Sequence, residues 1–148
     1  MSKRVTSATR AIAAPAAEIF ALLADPTAHA RFDGSGSVQR ARADAPARLA
    51  LGTRFGMDMK VGLPYRMTNT VVEFEEGRRI AWKHVGGHVW RYLLEPSADG
   101  SATTVTEQFD WSTARSKLFI RLAGYPERNR KAMEKTLDRL GTLVASTA

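Results

Sequence analysis

The feature that most limits what this chain can fold into is one change of hydrophobic period near Thr113. From residue 54 to 111 the apolar residues come in short runs with a period of two. Turn-forming residues interrupt the runs at Gly62 and Pro64, Glu75-Glu76-Gly77, Val85-Gly86-Gly87 and Pro96–Ser101. In the first run Phe55, Met57, Met59 and Val61 share one face, and Arg54, Asp58 and Lys60 share the other. The following strands are expected over Tyr65–Phe74, 79–84, 88–95 and Thr103–Trp111, an antiparallel meander. After Thr113 the pattern turns helical. Leu118, Ile120 and Leu122 precede Gly124-Tyr125-Pro126, which should kink or break the helix. Beyond it Met133, Leu137, Leu140 and Val144 fall at i, i+4, i+7 and i+11, one apolar stripe of a helix about 20 residues long.

The N-terminal third adds a strand over residues 5–13, then a helix starting at Pro15 that puts Ile19, Leu22 and Leu23 on one face. Asp25 and Pro26 end it and open a second short helix as N-cap and first residue. Asp33-Gly34-Ser35-Gly36 then turns the chain into a strand at Val38–Ala43, and 44–50 reads as a loop. The expected fold is α+β: a curved antiparallel sheet, in the order β-α-α-β meander-α, wrapped on the long C-terminal helix in a helix-grip arrangement. Residues 1–148 suffice for a single domain with its own core.

Composition narrows the function classes. The absence of cysteine removes disulfides, thiolate nucleophiles and Cys-ligated metals. The formal net charge of +7 is scattered. Its densest cluster, Arg128, Arg130, Lys131, Lys135 and Arg139, is interleaved with Glu127, Glu134 and Asp138 as on a solvated helix face, so no nucleic-acid partner is expected. No segment approaches the ~20 apolar residues of a membrane span, and none has the uninterrupted apolar core of a signal peptide. A cytoplasmic protein, monomeric or homodimeric, is the resulting expectation.

If Val85-Gly86-Gly87 is a three-residue hairpin loop, with a Gly in the left-handed conformation, His84 opposes His88, Trp82 opposes Trp90 and Ile80 opposes Tyr92. All six then line the concave side. A two-residue loop would send the two Trp to opposite faces. The last strand puts Val105, Glu107, Phe109 and Trp111 on one face. With Met57, Met59, Tyr65, Met67 and Asn69 they make a Met- and aromatic-rich surface with few polar points, which Met133 and Leu137 of the long helix would close. Such a surface suits an apolar ligand. From the residues alone, a packed core fits equally well.

Ala14-Pro15-Ala16-Ala17-Glu18-Ile19-Phe20-Ala21-Leu22-Leu23-Ala24-Asp25-Pro26 resembles the N-terminal hallmark of the SRPBCC superfamily, the broad group of START domains, birch-pollen-allergen-like proteins and bacterial polyketide cyclase/dehydrase-like proteins. The runs Arg78-Arg79-Ile80-Ala81-Trp82-Lys83, Trp90-Arg91-Tyr92-Leu93-Leu94-Glu95-Pro96 and Thr104-Val105-Thr106-Glu107 resemble its strands. Ala102, where a Gly is common, and Gly124-Tyr125-Pro126 depart from the pattern. The resemblance implies a deep cavity between sheet and C-terminal helix. It does not select a function, because the superfold hosts carriers, hormone receptors, cyclases and chaperone activators.

Three constellations could carry chemistry. His84 and His88 share a face, with His29 able to approach, but no third ligand or acidic partner is fixed. No metal or other cofactor is therefore expected, and a solvent-facing pair at the hairpin tip is the plainer reading. Glu107 points between Val105 and Phe109 to the concave side. There it is either a desolvated acid–base group or the partner of an inward-leaning Arg91 or Arg66. Asp33-Gly34-Ser35-Gly36 opens no long helix, so a turn fits better than a phosphate loop. The primary reading is a module that binds a hydrophobic small molecule, lipid-like, aromatic or polyketide-like. The alternative is a polyketide cyclase/dehydratase-type enzyme using the same cavity, with Glu107, His84 and Tyr92 moving protons. A protein-interaction module is the third.

Overall fold

The computed structural model describes residues 4–35, 38–41 and 46–147. Its strands are β1 (Val5–Ile12), β2 (Val38–Ala41), β3 (Arg54–Val61), β4 (Leu63–Glu75), β5 (Arg79–His84), β6 (Val89–Pro96) and β7 (Thr103–Asp110). They form one antiparallel sheet in the order β1-β7-β6-β5-β4-β3-β2. Only β1 leaves the meander, to pair with β7. The helices are α1 (Ala16–Leu23), α2 (His29–Phe32, entered through a 3₁₀ turn at Pro26–Ala28), α3 (Lys117–Leu122) and α4 (Tyr125–Thr147). Residues 42–45 of the expected second strand and loop, and Gly36 of the expected turn, lie outside the described residues.

The local chemistry accounts for the boundaries. Asp25 caps the 3₁₀ turn, its carboxylate accepting from the Thr27 N–H at 2.9 Å, with Pro26 as first residue. Gly124 breaks the C-terminal helical segment by adopting φ 73°, and Pro126 enters the first turn of α4, where a missing N–H costs nothing. The outcome is therefore a break into two helices. Gly62, at φ 74°, reverses β3 into β4, so β4 begins two residues before the expected Tyr65, with Pro64 at its start.

A bulge at Val72 changes the parity of β4. Val71 opposes Trp82, but Glu73 opposes Ala81 and Phe74 opposes Ile80. Phe74 thus returns to the concave side, where its ring packs edge-on against Phe20 at 5.4 Å, and Glu73 faces outward. α4 packs across β1 and β7. Its stripe divides the interior in two. Leu137, Leu140 and Val144 seal the main core with Ile12, Leu94 and Val105. Met133, nearer the start of α4, joins a separate cluster with Phe109, Trp111, Ala114 and Ile120.

Candidate functional site

Between the sheet and the first half of α4 lies a cavity of about 1000 Å³, within the size range of small-molecule sites. Its floor is set by strand register. The β5–β6 loop has three residues: the His84 N–H donates to the His88 carbonyl at 2.9 Å, and Gly87 takes φ 96°. Trp82 therefore opposes Trp90, which opposes Phe109, and Ile80 opposes Tyr92, which opposes Glu107. Met57 and Met59 of β3 pair with Met67 and Tyr65 of β4 to form one wall, with Asn69 beside them. Met133 and Thr136 of α4 cover the cavity. Phe119, Ile120 and Tyr125 edge it, and His29, Phe32 and Asp33 stand at its α2 side.

The cavity ends at the row of Tyr92 and Glu107. Ile80, Val105 and Leu137 beyond it are fully buried in the main core and do not reach the cavity. Leu137 thus packs as core rather than as the far wall. Trp111 likewise lies outside the lining, buried with Phe109, Ala114 and Ile120. At the other end the solvent-exposed Arg115, Phe119, Gly124 and Arg128 border the opening.

Glu107 is the chemical centre of the cavity. It is 4% exposed, and burial pushes its carboxyl up to about 8, against the pull of a hydrogen bond from Tyr92. The nearby Asp33 carboxylate adds to the rise. Burial first, then Glu107, raises the Tyr92 hydroxyl well above its ordinary value. The Oε1 atom of Glu107 has no hydrogen-bond partner among the described residues, nor does the Oδ1 atom of buried Asn69. The expected arginine partner is absent from Glu107. Arg91 alternates with Trp90 and Tyr92, so it faces the convex side, where it binds Glu73 at 2.7 Å and Asp110 at 3.3 Å. Arg66 pairs with Asp58 at 3.9 Å.

The histidine pair is not the solvent-facing tip expected. His84 and His88 stack at 4.3 Å and 17°, and His88 packs against Phe109 at 5.3 Å. The Gly86 N–H donates to His84 Nδ1 at 2.7 Å. Burial lowers both imidazoles, His88 to about 4 with help from His84, so both are neutral at pH 7. His29 does not join them. Its ring stacks on Trp82 at 4.8 Å, its Nε2 bonds the Leu23 carbonyl at 2.9 Å, and burial lowers it to about 4. Among the described residues no three His, Asp or Glu side chains group as metal ligands. The Asp33-Gly34-Ser35 turn is pinned to α4, the Gly34 N–H donating to Thr136 Oγ1 at 2.8 Å. A Cβ on Gly34 would collide with the backbone of α4.

From the sequence His29 stands out only as a possible metal ligand, and nothing there brings Asp33, Phe32 or Thr136 to the cavity, where the fold places all four. Their approach depends on the way the α2 turn docks on α4, for which Gly34 is the only local sign.

A family model described as polyketide cyclase / dehydrase and lipid transport matches residues 3–145. An uncharacterized protein of Mycobacterium tuberculosis, Rv0088, is 40% identical over 134 residues, covering 87% of this chain and 59% of that protein. The chain therefore spans somewhat more than half the length of the curated relatives it matches. Among solved structures, a START superfamily protein from Mycobacterium smegmatis is similar at TM-score 0.77, with 16% identity over 97% of this chain and 99% of the other. Protein NE0264 from Nitrosomonas europaea is similar at TM-score 0.75, with 17% identity over 99% of this chain and 98% of the other. An AHSA1-like protein from Aeromonas hydrophila gives TM-score 0.62 at 20% identity, over 95% and 93% of the two chains. At these identities the structures are alike in fold alone.

Proposed function

The chain belongs to the polyketide cyclase / dehydrase and lipid transport family of the SRPBCC superfamily, and on that premise we propose that its cavity binds a hydrophobic small molecule, lipid-like, aromatic or polyketide-like. The observation that carries this reading is the cavity of about 1000 Å³ walled by methionine and aromatic side chains. Met57, Met59, Met67 and Met133 adapt to irregular shapes, and Trp82, Trp90 and Phe109 supply flat contact area. The ligand contacts are assigned to these residues with Tyr65, Asn69 and His88. No helix among the described residues is long and apolar enough to cross a membrane. The test is titration with an environment-sensitive apolar fluorophore, with competition by aliphatic lipids and aromatic ketones. Saturable binding near one equivalent supports the reading, and no saturable binding rejects it.

A second reading, a cyclase or dehydratase, is favoured by one observation: a carboxyl raised to about 8 beside a tyrosine hydroxyl inside an apolar cavity. Such a group holds a proton at neutral pH and can deliver it to a carbonyl or leaving hydroxyl. The neutral, stacked His84 would be a weaker proton carrier. Turnover of a poly-β-ketone that survives Glu107→Gln undiminished would reject this role.

A further inference from the structure

The inner end of the cavity selects the polarity of what it holds. Glu107 lies at that end among the residues lining the cavity, nine-tenths or more buried, and its Oε1 atom has no hydrogen-bond partner among the described residues. The described groups acting on its charge are Tyr92 and Asp33, neither of them cationic. Arg91, close by in sequence, faces the opposite side of the sheet. The cations bordering the cavity, Arg115, Arg128, Lys131 and Lys135, are all solvent-exposed. A carboxylate or phosphate carried inward would be desolvated beside the Asp33 carboxylate with no buried cation to offset it. A bare hydrocarbon would leave a buried acceptor unpaired. A hydroxyl both donates and accepts, so it satisfies the carboxyl in either protonation state.

We propose that the ligand is a neutral alcohol or phenol that enters hydroxyl first, hydrogen-bonded to the Glu107 carboxyl, with its apolar body against Trp90, Phe109 and Met133. This rests on the reading that the cavity binds a hydrophobic molecule, and it adds which end leads and what that end carries. Any anionic group of the same molecule stays at the basic rim.

Three probes with one ring system test it by equilibrium dialysis at pH 7: naphthalene, 2-naphthol and 2-naphthoate. The wild-type protein should bind 2-naphthol about 3- to 10-fold more tightly than naphthalene, the worth of one net hydrogen bond. 2-Naphthoate should bind more weakly than naphthalene. In Glu107→Leu the ratio of 2-naphthol to naphthalene affinity should fall to about one, whatever the absolute affinities. Glu107→Met, nearer in length, carries the same test should the branched side chain not pack. Equal binding of 2-naphthol and naphthalene to the wild type overturns the proposal, as does a preference that survives in either variant; in both cases the hydrophobic-ligand reading stands. Failure of all three rings to bind overturns that reading and this proposal together.

Discussion

Replacing Glu107 by glutamine should remove the alkaline side of the protein's stability optimum. Three buried groups set the curve near neutrality. Glu107 has an ordinary value of 4.5 and is raised to about 8 by burial and by Asp33, so the folded state keeps a proton that the unfolded chain releases. Its stabilising contribution is complete below about pH 4.5 and is lost as pH rises to about 8. His29 and His88 are lowered from 6.5 to about 4, so the unfolded chain binds protons that the folded state refuses. Their contributions are complete above about pH 6.5 and are lost as pH falls toward 4. Each group tilts stability by about 1.4 kcal/mol per pH unit inside its window. Between pH 4.5 and 6.5 His29 and His88, joined in the same direction by His84, oppose one glutamate, and stability rises. From 6.5 to 8 Glu107 acts alone, and stability should fall by about 2 kcal/mol. Urea denaturation followed by circular dichroism from pH 5 to 9 reads this directly. The wild type should be most stable near pH 6.5, and Glu107→Gln should be flat from 6.5 to 8. A flat wild-type curve over that interval, or an equal fall in the variant, would refute burial of an unpaired Glu107.

Trp90→Ala separates wall from core. Trp90 is half-buried and borders the cavity, so truncation should cost clearly less than the 3–5 kcal/mol of a fully packed aromatic, while affinity for an apolar fluorophore falls. Full-size destabilisation with unchanged probe binding would make this face ordinary core. Gly87→Ala tests the hairpin that places Trp82 and Trp90 together. It imposes a side chain at φ 96° and drives a Cβ into the Thr113 carbonyl, so a loss of about 1–3 kcal/mol in urea unfolding is expected. An unperturbed midpoint would show that the loop conformation is wrong.

What could be read from the chain depended on whether neighbours in sequence decide it. Val85-Gly86-Gly87 settles the register of β5 and β6 locally, because a left-handed residue ends a three-residue loop. The pairing of Trp82 with Trp90 and Tyr92 with Glu107 follows from it. The stripe from Met133 to Val144 likewise announces which side of α4 faces inward. The outward aim of Arg91 was available from strand alternation, and it decides that Glu107 lacks a counter-charge. Other features arise between distant segments. The parity change at Val72 inserts one residue without a Gly or Pro to mark it. The division of the α4 stripe into a sealing half and a covering half depends on how far the sheet curls away from the helix. So does the choice between cavity and core, since the same methionines and aromatics fill either. The stacking of His84 on His88 and of His29 on Trp82 also needs the assembled layers, as their ring packing excludes the water that a hairpin tip would provide.

The central claim, that apolar molecules enter between sheet and α4, is tested most directly by methionine-methyl NMR. Of the five methionines, Met57, Met59, Met67 and Met133 border the cavity from both layers. With ¹³C-methyl-methionine protein titrated with 2-naphthol, these four signals should shift together along one saturating curve and show nuclear Overhauser contacts to the aromatic ring. Unmoved Met57 and Met133 signals, with no contact from either to the ring at saturating probe, would contradict it.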